Sequence, residues 1–125
     1  MSRRLRDLLL LAALGLLVNG AVALLVRSPG YIDAFYYFNA GEALATGRSR
    51  LPELPEPTIW NYAGAPPELP APGFAYWQPL PSLLAALGIA LFGHGAAFGA
   101  AQVVFVALAG LLPPLAYLVT RMGGE

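Results

Sequence analysis

One carboxylate stands out among the residues that could do chemistry. Asp33 is the only aspartate of residues 27–79, a polar-faced segment that holds most of the chain's aromatic residues and prolines. Uncharged hydrophobic stretches lie on both sides of this segment. A carboxylate within hydrogen-bond reach of a hydroxyl can take its proton while a bond to that oxygen forms. The position predicts an acid–base or binding role for Asp33, with helix capping as the structural alternative.

The other charged side chains of the segment give weaker signals. Glu42 follows Asp33 by nine residues, which places the two on opposite faces of a straight helix, so Glu42 is expected to face solvent. Arg48 and Arg50 suit recognition of a phosphate group, and solvation near lipid headgroups is the alternative. Three more glutamates lie among prolines and are also expected to point to water: Glu53, Glu56 and Glu68.

The sequence identifies neither a metal nor a cofactor. His94 stands between two glycines with no second ligand nearby, so a structural role is expected. The chain has no cysteine, no two-histidine spacing, no phosphate-binding glycine loop and no nucleophile elbow. A divalent metal is therefore compatible with the sequence but not required by it. The formal net charge of zero argues against nucleic acid as a partner.

Composition predicts an integral membrane protein with membrane lipids as partners. Hydrophobic residues make up 58% of the chain and charged residues 11%, against about 25% charged in an ordinary soluble domain. Residues 8–26 carry no charge and would form a helix of about 28 Å, enough to cross a hydrocarbon core of ~30 Å. A cleaved signal peptide ending near Ala23 is the alternative. The apolar run continues past that site, which favours an anchor.

The predicted fold class is an all-α membrane protein with about three transmembrane helices and a large, partly helical extracytoplasmic loop. Pro79 and Pro81 suit the beginning of the second helix, and Pro113 and Pro114 predict a kink in the third. The predicted organisation is an N-terminus at 1–7, spans at 8–26, 74–92 and 96–119, a loop at 27–73, a turn at 93–95 and a tail at 120–125.

The placement of arginines predicts the orientation. Three arginines precede the first span, which favours a cytoplasmic N-terminus: Arg3, Arg4 and Arg6. The large loop then lies outside the cytoplasmic membrane of a bacterium, His94 turns in the cytoplasm and Arg121 emerges outside. Asn19, with Gly15 and Gly20, predicts packing of the first span against helices beyond this chain.

Residues 33–46 are predicted to form a helix at the membrane surface. Asp33 is a suitable N-cap, and Gly47 suits the C-terminal stop. The first turns are strongly aromatic, as expected of a helix at a membrane interface. The prolines that follow, from Pro52 to Pro72, predict that no long regular element forms there.

Three short motifs resemble one family, the polytopic GT-C glycosyltransferases, which include protein mannosyltransferases and bacterial aminoarabinose transferases. Residues 31–37 read Tyr-Ile-Asp-Ala-Phe-Tyr-Tyr, which resembles their first external loop. Residues 76–84 resemble the beginning of their second span, and residues 91–93 its end. Gln78 stands where the family often has histidine, and Ala34 stands in place of a second acid. The resemblance therefore favours a side branch of the family.

The resemblance implies transfer of a sugar from a polyprenyl-phosphate carrier to an extracytoplasmic acceptor. In such enzymes the first-loop aspartate contacts the acceptor, or a metal where one is used, and can act as general base. Asp33 matches that residue. The residues expected to contact substrate, within the motifs or near them, are Tyr36, Tyr37, Arg48, Arg50 and Tyr76.

Family members have many more spans, so the chain is expected to be the N-terminal part of a longer enzyme and to be inactive alone. A three-span scaffold or partner-binding subunit, with no enzymatic activity, is the alternative. The start of a transporter is a third reading, which the lack of charged residues within the predicted spans disfavours.

Overall fold

The computed structural model describes residues 2–48, 53–54, 71–72, 78–93 and 95–123. These residues form four helices: α1 (Arg3–Leu25), α2 (Ile32–Ala45), α3 (Leu80–Phe92) and α4 (Ala97–Met122). Between α2 and α3, the two-residue strands β1 (Glu53–Leu54) and β2 (Ala71–Pro72) pair antiparallel, with Glu53 opposite Pro72. The predicted helical class is confirmed for the described residues, and the short strand pair is an addition to it.

The chain divides into two compact units. Unit 1 combines Met1–Val26 with Phe105–Glu125, and unit 2 comprises Arg27–Val104. Helix α1 therefore belongs to unit 1, whereas α2, α3 and the strand pair belong to unit 2. Helix α4 contributes its first residues to unit 2 and its remainder to unit 1.

Helix α1 begins earlier than predicted. Ser2 is its N-cap, and the Ser2 Oγ accepts a hydrogen bond of 3.2 Å from the Leu5 amide. The arginines that follow Ser2 are good helix formers, so the helix includes most of the predicted N-terminal tail. It ends at Leu25, where Val26 adopts an extended conformation. The basic residues thus lie in the first turns of a helix.

Within unit 1, α1 and α4 approach each other closely at two glycines. A Cβ added to Gly15 would lie 2.9 Å from the Gly110 carbonyl oxygen, and one added to Gly110 would lie 2.5 Å from the Leu16 Cδ2. The lack of side chains at both positions permits this contact. The partner that Gly15 was expected to find outside the chain is therefore α4. Helix α4 runs through Pro113 and Pro114 without ending, and the predicted kink there stays a prediction.

Unit 2 is held together by two further glycine contacts. A Cβ on Gly41 of α2 would lie 2.7 Å from the Ser82 carbonyl oxygen of α3, and one on Gly88 of α3 would lie 2.5 Å from the Ala100 carbonyl oxygen of α4. The core around these contacts combines small residues with Ile89, which is fully buried. Small side chains let the helix backbones approach each other, which gives the unit a closely packed interior.

Two helices are long and apolar enough to cross a membrane, namely α1 and α4. Their most apolar windows have mean hydropathies of 2.5 and 2.1, and only 6% and 11% of the residues in those windows are buried. Helix α3 has 13 residues and is shorter than a span. Residues 74–77 of the predicted second span lie outside the described residues. Two candidate spans are therefore found among the described residues, where three were predicted.

Candidate functional site

Asp33 lies in the first turn of α2, two positions after the N-cap residue. The helix begins at Ile32, and its N-cap is Tyr31, with φ −156° and ψ 170° and no capping hydrogen bond from its side chain. The predicted N-cap role of Asp33 is therefore wrong, because the N-cap lies two residues earlier. Its carboxylate nevertheless lies in the first turn, at the positive end of the helix dipole. Asp33 is exposed to solvent.

The aromatic residues after Asp33 divide into buried and accessible ones. Tyr36 is completely buried, and its ring meets that of Tyr37 edge to face, with centroids 5.8 Å apart. Phe38 packs in the same way on Phe98 of α4, at 5.4 Å. Such pairs add to the stability gained from burying the rings. In this structure Tyr36 belongs to the core of unit 2, and Tyr37, half-buried, is the more accessible of the two predicted substrate contacts.

Arg48 lies just after the C-terminal end of α2 and is held by polar contacts. Its guanidinium donates 3.0 Å to the Glu42 carboxylate and 3.1 Å to the Thr46 hydroxyl. Glu42 was expected to face solvent, and it instead combines partial exposure with this ion pair. An incoming phosphate would compete with Glu42 for Arg48. The predicted phosphate contact at Arg48 stays a prediction.

The helix ends in unit 2 follow the sequence prediction closely. Gly47 follows α2 with a φ of 72°, and Gly93 follows α3 with a φ of 111°, both in the region that favours glycine. Pro79 and Pro81 lie at the beginning of α3, as expected. These stops fix the length of the two helices that carry and support Asp33.

Several predicted residues lie outside the described residues: Arg50, Glu56, Glu68, Tyr76 and His94. The side chain of Glu53 also lies outside them, although its backbone forms part of β1. Their predicted roles stay predictions. Among the residues that the structure does describe, no group of three or more His, Cys, Asp or Glu side chains could hold a metal ion.

A second polar cluster, in unit 1, was not predicted. The first turns of α1 and the end of α4 line one open cavity, which contains Arg3, Arg4, Arg6 and Asp7 of α1 with Tyr117 and Arg121 of α4. Helices that touch at Gly15 and Gly110 and share a cavity at these ends are antiparallel. In this structure Arg121 thus lies beside the N-terminal arginines, and the expectation that it emerges on the opposite side of a membrane stays a prediction. The available signal in the sequence was the presence of basic residues near both chain ends, three arginines at one end and Arg121 at the other.

Comparisons with known proteins return no relative. No protein-family model matches the sequence, and no curated protein or solved structure shows significant similarity to the chain. The resemblance to GT-C glycosyltransferases therefore rests on the short motifs alone.

Proposed function

We propose that the chain is the N-terminal, membrane-embedded part of a glycosyltransferase that uses a polyprenyl-phosphate-linked sugar. Asp33 is the acceptor-binding residue or general base. The observation that carries the proposal is an exposed carboxylate one turn before a completely buried tyrosine, Tyr36, on a helix that packs closely on α3. A buried anchor beside an exposed acid gives that acid a fixed position, as a catalytic group needs.

The proposed reaction needs one base on the acceptor side. The acceptor hydroxyl oxygen forms a bond to the anomeric carbon of the sugar, while the bond from that carbon to the carrier phosphate breaks. The hydroxyl proton passes to the Asp33 carboxylate, and the polyprenyl phosphate leaves with the electron pair of the broken bond. The exposure of Asp33 supports this role because a large acceptor must reach the carboxylate.

The membrane placement is supported by the surface of α1 and α4. A core helix of a soluble protein is mostly buried. In the most apolar windows of α1 and α4, only 6% and 11% of the residues are buried. Leu17, Leu24 and Leu25 of α1 are 70%, 78% and 82% exposed. A lipid environment, or further helices of a longer protein, would cover such a surface.

The antiparallel arrangement of α1 and α4 favours two complete crossings over the three predicted from the sequence. With Arg121 beside the N-terminal arginines, both ends of unit 1 face the same side, which the positive-inside rule assigns to the cytoplasm. The chain has no cysteine, so single cysteines can be introduced at Ser2 and Gly123. A membrane-impermeant maleimide added to intact cells should label neither. Labelling of Gly123→Cys alone would support three crossings.

The catalytic proposal is tested with Asp33→Asn in the natural membrane protein. Membranes are supplied with radiolabelled polyprenyl-phosphate sugars, and transfer to endogenous acceptors is measured. We expect at least a hundredfold loss of transfer at an unchanged protein level, as for removal of a general base, which contributes about 10²–10⁴-fold. The control variant Glu68→Gln also replaces a carboxylate with an amide, elsewhere in residues 27–73, and should retain activity. Equal transfer by Asp33→Asn would remove Asp33 from the mechanism.

A partner-binding subunit without enzymatic activity is the second candidate. Gly20 of α1 has no atom within 4 Å of an added Cβ among the described residues, although it lies five residues from the tightly packed Gly15. An open glycine on an apolar helix can receive another helix. A membrane protein near 13.1 kDa in immunoblots of native membranes, with no sugar transfer, would favour this candidate. A much larger band would favour the glycosyltransferase.

A further inference from the structure

The open cavity at the end of unit 1 is large enough for a ligand. Its volume is about 780 Å³, within the ~300–1,000 Å³ typical of small-molecule sites. Both helices contribute to its lining, so the cavity depends on the antiparallel pairing of α1 with α4. A site formed by two packed helices has a defined shape, unlike a row of basic residues on a single helix.

The lining has an excess of positive charge. It contains four arginines and a single carboxylate, that of Asp7, which gives a formal charge of +3. Asp7 already accepts two hydrogen bonds from the Arg6 guanidinium, at 3.3 and 3.2 Å. The first turn of α1 has no acidic residue, so its arginines also stand at the positive end of the helix dipole. An anion in the cavity would offset both the repulsion among the arginines and their unfavourable position at the positive end of the helix dipole.

The types of side chain favour a phosphate group. Guanidinium groups match phosphate oxygens with two parallel hydrogen bonds, which makes arginine suited to this ligand. Arg121 is positioned by the ring of Tyr117, since its guanidinium carbon lies 5.4 Å from the ring centroid. One guanidinium is therefore oriented before any ligand binds.

The surface beside the cavity is apolar. Met122 lines the cavity and is 76% exposed, and the neighbouring Val119 of α4 and Leu5 of α1 are 67% and 48% exposed. A free phosphate would use only the arginines, whereas an anionic phospholipid would also cover this apolar surface with its acyl chains. We propose that the cavity binds the phosphate-bearing headgroup of an anionic phospholipid. The inference rests on the proposed membrane placement and not on the chemistry of Asp33.

The test uses the full chain, purified in a neutral detergent and titrated with phosphatidylglycerol or phosphatidylcholine. Binding is counted by native mass spectrometry. We expect phosphatidylglycerol to bind at least tenfold more tightly. An arginine near a membrane surface contributes about 1 kcal/mol to anionic lipid binding, so the double variant Arg4→Gln/Arg121→Gln should bind about thirtyfold more weakly. Arg27→Gln removes the same charge just beyond the other end of α1 and should leave binding unchanged.

A variant that binds phosphatidylglycerol more tightly distinguishes a specific effect on the site from misfolding of the protein. Asp7→Asn removes the only carboxylate of the lining and should strengthen phosphatidylglycerol binding about fivefold, which a damaged protein could not do. Equal binding of the two lipids, or equal loss in Arg27→Gln, would overturn the proposal. Displacement of phosphatidylglycerol by an equal concentration of inorganic phosphate would overturn the lipid as ligand and leave a free anion. Carbonate extraction separately tests the membrane placement, so failure of either proposal is recognised independently.

Discussion

Units 1 and 2 both contain close helix–helix contacts at glycines, but the two units differ in how much they bury. Unit 1 joins two long apolar helices at Gly15 and Gly110 and leaves most of their sides exposed. Unit 2 joins shorter helices at Gly41 and Gly88 and completely buries Tyr36 and Ile89. Glycine contacts permit close approach of helices in both units, whereas the cluster of buried hydrophobic residues lies in unit 2. The long helices of unit 1 leave an apolar surface that other molecules could cover, and the helix with Asp33 packs on the core of unit 2.

The largest effect is expected from Gly88→Ala. An added Cβ would lie 2.5 Å from the Ala100 carbonyl oxygen and 2.8 Å from the Ala101 Cα, so backbones must move apart in the core of unit 2. We expect the free energy of unfolding to fall by about 2 kcal/mol, as overpacking costs ~1–3 kcal/mol. Denaturant titration in neutral detergent measures it. Gly99→Ala meets nothing within 4 Å among the described residues and should be neutral or stabilising. Equal loss in both variants would contradict the prediction.

Gly15→Ala should have a smaller effect, because unit 1 can adjust more easily than a packed core. Its added Cβ would lie 2.9 Å from the Gly110 carbonyl oxygen. We expect a loss of about 1 kcal/mol, at the lower end of the cost of overpacking. The matched variant Gly20→Ala, on the same helix, should gain stability from helix propensity instead. The difference between the two thermal midpoints is the measurement, and a zero difference would remove the glycine contact as the link between α1 and α4.

Ser82→Ala should raise stability, in contrast to the glycine variants. The Ser82 hydroxyl is completely buried in unit 2 and has no hydrogen-bond partner among the described residues. Removing an unsatisfied buried polar atom is expected to recover about 1 kcal/mol of its desolvation cost. Ser28→Ala, at an exposed position, serves as the control and should change little. A loss of stability in Ser82→Ala would indicate that the hydroxyl has a partner in the intact protein.

The smallest effects concern two ion pairs among the described residues, one in each unit. Arg48–Glu42 in unit 2 and Arg6–Asp7 in unit 1 are both partly exposed, with distances of 3.0 and 3.2 Å. Exposed pairs contribute about 0.2–1 kcal/mol. Double-mutant cycles with Arg→Gln and acid→amide changes should give couplings within this range, and both should weaken at high salt. A coupling well above 1 kcal/mol at either pair would show that it is more shielded than the structure indicates.

Local features of the fold were predictable because they depend on neighbouring residues. The glycine stops at Gly47 and Gly93 and the proline start of α3 follow from backbone preferences alone. Capping was less certain, since Tyr31 rather than Asp33 precedes α2. An extended residue can start a helix without a side-chain cap when tertiary packing holds the first turns. The complete burial of Tyr36 supplies such packing.

Long-range features were not predictable from the same patterns. Gly15 indicated close packing, but no local signal identifies Gly110 as its partner, nearly the whole chain away. The prediction of three spans followed from counting apolar residues, and it did not anticipate that Arg121 and Arg3 line the same cavity. Charge counting treats each chain end separately, whereas the antiparallel pairing of α1 and α4 brings the two ends together. The role of Asp33 depends in the same way on contacts that a single sequence does not encode locally.

The hydrogen bond of Asn19 has a consequence for how the protein is made. Asn19 is the one polar residue in residues 8–26, and its side-chain amide donates 2.8 Å to the Gly15 carbonyl oxygen of its own helix. Because this donor is satisfied within α1, the helix can meet an apolar environment without a polar partner from α4 for that N–H group. We therefore expect α1 to tolerate insertion into a bilayer before it packs against Gly110.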